Sequence, residues 1–174
     1  MLQLSASLIN RPVMSLRTGG MVATTEELII NPNNLKIEGI YCIDHFSKER
    51  LVLLPQDIRD ILREGFVIND HEVLTEESEL IRLKPIIELA FVLAGKSVQT
   101  EKKQRLGKVV DFAVDDQTLY VQKLYVGHSI LKSFSNSQLS IDRNQIVEIT
   151  NRRIVIKEIQ KPAKVNVSVV APAV

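Results

Sequence analysis

Three histidines, one cysteine and a pair of adjacent aspartates are the residues of this chain whose chemistry could support a catalytic or metal site. Cys42 lies in the apolar run 40–43, where a free thiol usually packs as a small hydrophobe. His45, His71 and His128 fall in predicted loop or linker positions, and none belongs to an HExxH motif, so we interpret them as solvated or locally hydrogen-bonded side chains. These residues predict neither a nucleophile with its base nor a zinc site.

Asp115 and Asp116 are adjacent carboxylates that could be compared with a general acid–base pair. Neighbouring residues at a strand end point in different directions, and Asp is a preferred turn residue because its short side chain bonds the turn backbone. Gly19-Gly20 and Gly107 do not match the phosphate-binding pattern GxxxxGK[ST], and we expect them only to give the chain freedom before a strand. The sequence therefore predicts no catalytic, cofactor-binding or metal-binding residue, and we expect a protein that is not an enzyme.

Charge is unevenly distributed along the chain although its formal net value is only +1. Residues 1–90 hold 9 Lys and Arg against 14 Asp and Glu, a net charge of −5, whereas residues 91–174 hold 13 against 7, a net charge of +6. The basic half either forms a solubilising face that attracts the acidic half, or docks an acidic protein, an anionic membrane surface or RNA. RNA is favoured least, because the basic cluster lacks interleaved aromatic residues. The candidate partner-binding residues are Lys102, Lys103, Arg105, Lys108, Arg152 and Arg153.

The overall composition, 45% hydrophobic and 25% charged, is typical of a globular chain. Cys42 cannot form an internal disulfide, which fits a reducing compartment. The segment 1–7 lacks the basic region of a secretory signal, and no apolar run approaches the roughly 20 residues that span a bilayer. We therefore expect a cytoplasmic protein with no transmembrane segment.

An internal duplication organises the chain. Near the end of each half a strand-like run leads through a polar turn to an isoleucine, and the halves match at an offset of 88 residues (146 − 58). Residues 20–22 and 107–109 pair at an offset of 87, as a loop insertion would produce. The segments that match at 88 are 51–58 with 139–146, Ile61 with Ile149, and 67–68 with 155–156.

Each copy has the pattern of several short β-strands, in which apolar and polar residues alternate between Gly, Pro, Asn and Asp. In the second copy, Val110, Phe112 and Val114 are expected on one face of a strand. The polar segments 31–34 and 115–118 predict tight turns. Five or six short strands, repeated, predict an all-β (mainly β) protein of two tandem small barrels, each closing its own apolar interior.

A different pattern separates the two copies. Leu80, Leu83 and Ile87 recur at helical spacing after Thr75, a candidate N-cap, and glutamates at 76, 77 and 79 would lie near the positive end of the helix dipole. We expect a short acidic helix that ends or kinks near Lys84, because Pro85 lacks an amide hydrogen.

The domain organisation that follows has four parts. The parts are 1–70, the first barrel; 71–90, a helical linker; 91–160, the second barrel; and 161–174, a flexible tail. The tail is poor in charge, and a strand over 165–170 is the alternative to a flexible tail.

The second copy resembles the PRC-barrel family, which is named for the H subunit of photosynthetic reaction centres and also forms the C-terminal domain of a bacterial ribosome-maturation factor. Residues 95–98 (Gly-Lys-Ser-Val) resemble its Gly-Lys-x-Val opening, and residues 107–115 resemble its Gly-Lys-Val before a strand ending in Asp. Residues 139–149 and 153–156 resemble the later strand and its Ile-containing turn.

The first copy departs from this pattern, with Arg11-Pro12-Val13 and Gly19-Gly20-Met21-Val22 in place of the two glycine motifs. Together, residues 5–158 resemble the tandem PRC-barrel proteins of bacteria. The resemblance implies a non-enzymatic protein-interaction or adaptor module whose partner is a protein, because family members serve as docking surfaces in unrelated settings. The alternatives are a ribosome-associated or RNA-processing accessory protein, and a binder of a small ligand in the cleft between the barrels.

Overall fold

The computed structural model describes residues 1–127 and 139–158 of the 174-residue chain. The expected tail, with its alternative strand at 165–170, and His128 lie outside the described residues. Within them the chain is mainly β, and each half of the sequence supplies one sheet that curls into a small barrel. The predicted all-β, two-barrel architecture is confirmed.

The first sheet has six strands in the order β5-β4-β3-β2-β7-β6. Neighbouring strands are antiparallel except β2 and β7, which are parallel. A 3₁₀ turn, Pro55–Asp57, leads into β6. The strands are β2 Pro12–Ser15, β3 Met21–Asn31, β4 Lys36–Asp44, β5 Arg50–Leu53, β6 Ile58–Ile61 and β7 Phe66–Ile68, preceded by β1 Leu2–Leu4.

The second sheet repeats this order as β11-β10-β9-β8-β13-β12, and again a single pair, β8 with β13, is parallel. A second 3₁₀ turn, Arg143–Gln145, precedes β12 as Pro55–Asp57 precedes β6. The duplication is therefore present in the strand order itself. The strands are β8 Ser97–Thr100, β9 Arg105–Asp115, β10 Val121–Gly127, β11 Leu139–Asp142, β12 Ile146–Ile149 and β13 Arg153–Ile156.

Strand pairing fixes which residues of the two copies correspond. The predicted offset of 88 is confirmed from β5 onward, since Leu53 pairs with Ile40 as Ile141 pairs with Leu124. In the long strands the offset is 84 (105 − 21), so the predicted offset of 87 is wrong there. The glycines that suggested 87 are not equivalent, because Gly20 precedes β3 whereas Gly107 lies within β9.

The two barrels join at the tips of their longest hairpins. The backbone N–H of Ile37 donates to the Leu119 carbonyl oxygen at 2.9 Å, and the N–H of Val121 donates to the Leu35 carbonyl oxygen at 2.9 Å. Ile37 corresponds to Val121 and Leu35 to Leu119 at the offset of 84, so the junction is reciprocal. The turns 31–34 and 115–118, both predicted, carry this contact.

The buried side chains of both barrels form one connected apolar cluster, which runs from Val13 and Ile68 in the first sheet to Val98 and Ile156 in the second. The expectation that each copy closes its own interior is therefore wrong. Interiors this small leave apolar residues uncovered at the hairpin tips, and each barrel buries them against the other.

The N-terminal strand crosses from one copy to the other. β1 pairs antiparallel with β9, with Gln3 opposite Val114, and the Met1 ammonium group lies 2.6 Å from Asp116 Oδ1. Residues 2–4 of the expected first domain thus add a seventh strand to the second sheet.

The linker contains two 3₁₀ turns, His71–Val73 and Glu77–Glu79, and one short α-helix, α1, Lys84–Glu88. The predicted helix from an N-cap at Thr75 to about Lys84 is wrong at both ends. Thr75 forms an antiparallel β-bridge with Val52, and the helix begins at Lys84 because Pro85 stands in its first turn, where no amide hydrogen is needed. Leu80 and Leu83 pack on Ile29, Tyr41 and Val52 on the outer face of the first sheet. No helix of the described residues is long and apolar enough to cross a membrane.

Candidate binding surfaces

The predicted basic residues lie around the β8–β9 hairpin and the adjacent start of β13. In the pairing of these strands, Ser97 is opposite Lys108 on one side and Arg153 on the other. Paired residues of neighbouring strands share a face of the sheet. The two cations therefore flank a small hydroxyl side chain on the outer face.

The other predicted cations lie at the two ends of the same hairpin. Lys102 and Lys103 form its turn, and Arg105 begins β9. Arg152 lies in the turn before β13. All six basic side chains are exposed, and none of them forms an ion pair with another residue that the structure describes. We call these six residues the basic face.

Lys96 anchors one end of the basic face and was missed by the sequence analysis. Its ammonium group donates to the Asn151 carbonyl oxygen at 2.7 Å and lies 4.4 Å from the centre of the Phe91 ring. Burial lowers the pKa of Lys96 below its ordinary value. Ser97 Oγ donates to the Arg152 carbonyl oxygen at 3.2 Å, so both residues hold the turn that presents Arg152 and Arg153.

A buried carboxylate of the first barrel bonds a histidine that was expected to be solvated or locally hydrogen-bonded. His71 Nε2 lies 2.8 Å from Oδ1 of Asp44, a carboxylate that is 2% exposed. Burial acts to raise the pKa of Asp44, but hydrogen bonds from the Ser47 backbone and hydroxyl and from His71 outweigh it and hold the pKa well below its usual range. Ser47 bonds Asp44 and not the histidine, so the three residues do not form a nucleophile relay. They tie the β4–β5 turn to the linker.

The other candidate residues are either buried in the core or hydrogen-bonded to neighbouring side chains and turns. Cys42 is buried in β4, and burial raises the pKa of its thiol to about 12. His45 Nε2 lies 2.8 Å from Thr24 Oγ1. Asp115 caps its turn by accepting from the backbone and hydroxyl of Thr118. Within residues 1–127 and 139–158, no three His, Cys, Asp or Glu side chains are grouped as metal ligands.

A cleft of about 650 Å³ opens beside the junction of the barrels. The first barrel lines it with Lys36, residues 55–56 and strand β6, and the second barrel lines it with the turn 116–119. A cleft between the barrels was expected from the sequence as an alternative ligand site. Its charged lining residues are Lys36, Arg59, Asp60 and Asp116.

Neither a scan against models of protein families nor a search of curated proteins finds a match for this chain.

Proposed function

We propose that this protein is a non-enzymatic interaction module of the tandem PRC-barrel type, and that it docks an acidic protein partner on the basic face. The observation that carries the proposal is the pair Lys108 and Arg153, exposed on either side of Ser97 and without ion pairs among the described residues. Unpaired cations grouped on one face attract an acidic surface and orient its approach.

The surroundings of the basic face favour a protein over RNA. Val110, exposed by 50%, lies two residues beyond Lys108 on β9, and the exposed neighbours Ser97 and Gln104 are small or polar. Protein partners bury such apolar atoms behind a polar rim. Single-stranded RNA is instead held by aromatic side chains that stack on its bases. The free, buried thiol of Cys42 supports a reducing, cytoplasmic setting.

The test is affinity capture from a native lysate with the full chain and with a variant in which Lys102, Arg105, Lys108 and Arg153 are each replaced by Glu. Four changes are needed because one exposed ion pair contributes only about 0.2–1 kcal/mol. We expect the variant to lose the protein that the wild type retains. The matched control reverses four exposed cations elsewhere, and it is expected to keep that protein: Lys48→Glu, Arg63→Glu, Arg82→Glu and Lys84→Glu.

Two results would contradict the proposal. One is a partner retained equally by both variants, since a docking site on the basic face cannot survive reversal of its charge. The other is retention that nuclease treatment abolishes, or co-sedimentation with ribosomes at low salt that the reversal removes. That result would favour the ribosome-associated or RNA-processing alternative.

A further inference from the structure

Arg143 fills a groove at the junction of the two barrels. Its guanidinium group donates to the carbonyl oxygens of Asn34 at 2.5 Å and of Val121 at 3.2 Å. The guanidinium also lies 4.7 Å from the centre of the Tyr120 ring. The groove thus recognises a planar cation with two backbone acceptors, a geometry that suits the fork of a guanidinium better than an ammonium group.

The duplication predicts a second copy of this groove on the other side of the junction. At the established offsets, Arg143 corresponds to Pro55, Asn34 to Thr118 and Tyr120 to Lys36. The second acceptor, Val121, corresponds to Ile37, which is buried and does not line the cleft. Pro55, Thr118 and Lys36 all line the 650 Å³ cleft. The cleft is therefore the counterpart of the filled groove, and it is open because proline has no side chain that can reach across it.

The cleft is lined by charges of both signs, and one of its two carboxylates is open to a cationic ligand. Lys36 Nζ lies 3.8 Å from Glu38 Oε2, Asp116 pairs with the Met1 ammonium group, and Arg59 Nε donates to Asn69 Oδ1 at 2.7 Å. Asp60 makes no ion pair with any residue in the described ranges. Its exposed carboxylate is thus the lining carboxylate that lacks a counterion, whereas Arg59 is a lining cation whose hydrogen-bond partner is a neutral amide.

We propose that the inter-barrel cleft binds a small molecule that carries a guanidinium group. The guanidinium takes the place that Arg143 occupies in the equivalent groove, beside Thr118, with Asp60 as its counterion. This site is independent of the basic face, which lies on the β8–β9 hairpin and the start of β13.

The probe is agmatine, an alkylguanidine, titrated into the ¹⁵N-labelled full chain, and the control ligand is putrescine, which has a similar alkyl chain with an ammonium group in place of the guanidinium. We expect agmatine to give saturable amide shifts at Lys36, Asp60 and Thr118, and putrescine to give weaker ones. Pro55→Arg places the chain's own guanidinium in the cleft and is expected to weaken agmatine binding at least about tenfold. Asp60→Asn is expected to weaken it about two- to fivefold.

Arg143→Ala provides a test that does not depend on the folding of the Pro55 variant. Removing the guanidinium empties the equivalent groove, so a second set of saturable shifts is expected at Asn34 and Tyr120. The proposal is overturned if agmatine leaves the cleft amides unshifted in the wild type. Equal responses to putrescine, or binding that neither Asp60→Asn nor Pro55→Arg weakens, would also overturn it.

Discussion

Leu35 and Leu119 occupy equivalent positions in the two copies, and both lie at the junction between the barrels. Both are buried, and both have the left-handed backbone conformation, with φ of 53° and 58°. The Leu119 carbonyl oxygen accepts a hydrogen bond from Ile37 near the start of β4, and the Leu35 carbonyl oxygen accepts one from Val121 at the start of β10. A leucine rarely adopts positive φ, so this conformation indicates that burial across the junction compensates for local strain.

Truncation of Leu119 tests the energetic importance of the junction. Leu119→Ala removes apolar atoms from a site that both barrels share, and we expect a loss of about 2–5 kcal/mol in the free energy of unfolding. Urea denaturation followed by circular dichroism measures it. Leu62→Ala is the control, because Leu62 is 43% exposed, and its effect is expected to stay within about 0.5 kcal/mol. Equal effects of the two substitutions would mean that the junction contributes little.

Deletion of residues 1–4 tests the strand that crosses between the copies. The deletion removes β1, including the Met1 carbonyl oxygen that accepts from the Asp116 backbone N–H at 2.9 Å. The amides that point toward β1, those of Val114 and Asp116, are expected to lose protection against hydrogen exchange, whereas the Asp115 amide donates to the Tyr120 carbonyl oxygen and is expected to keep it. The corresponding residues 29–31 in β3 do not pair with β1 and serve as the internal reference. Uniform loss of protection in both strands, or none in β9, would contradict the proposed role of β1.

Acid sensitivity is expected to depend on Asp44. Its pKa is lower in the folded chain than in the unfolded one, so its contribution to stability is present above the unfolded value near 3.8 and declines as pH falls below it. Asp44→Asn is expected to lower stability at pH 7 by about 1–3 kcal/mol, because Ser47 and His71 lose a charged acceptor. The variant is then expected to lose less stability than the wild type between pH 5 and pH 2, as measured by urea midpoints. Parallel pH profiles of the two proteins would rule this role out.

Cys42 is expected to be unreactive until the chain unfolds. Its thiol is buried and its pKa is raised to about 12, so almost no thiolate exists at pH 8. Labelling with iodoacetamide, followed by mass spectrometry, is expected to proceed only in denaturant. Rapid labelling of the native chain would show that β4 opens readily.

Much of the fold was predictable because hydrophobic alternation and turn residues are local signals. The all-β class, the duplication and the turns at 31–34 and 115–118 followed from them. The exposure of Val110 did not, since the pairing of β10 with β9 passes from Val109 to Asp111 and leaves Val110 as an extra residue on the outer face. A bulge of this kind has no clear sign in an alternating pattern.

The candidate binding surfaces likewise depend partly on local and partly on long-range contacts. Clustering along the chain suggested two separate groups of cations, residues 102–108 and residues 152–153. The parallel pairing of β8 with β13 brings the two groups to neighbouring strands. The role of Arg143 was not predicted, since it bonds Asn34 from a distance of 109 residues along the chain. Only the packing of one copy on the other, which single-sequence patterns do not encode, reveals that Pro55 leaves the matching groove open.

Differential scanning calorimetry of the full chain tests most directly whether the two copies form one body, on which the shape of the cleft depends. A shared apolar cluster and a reciprocal hairpin junction predict a single transition whose calorimetric and van't Hoff enthalpies agree. Two separable transitions, one for each half, would show that the barrels fold independently and would contradict the fused arrangement described above.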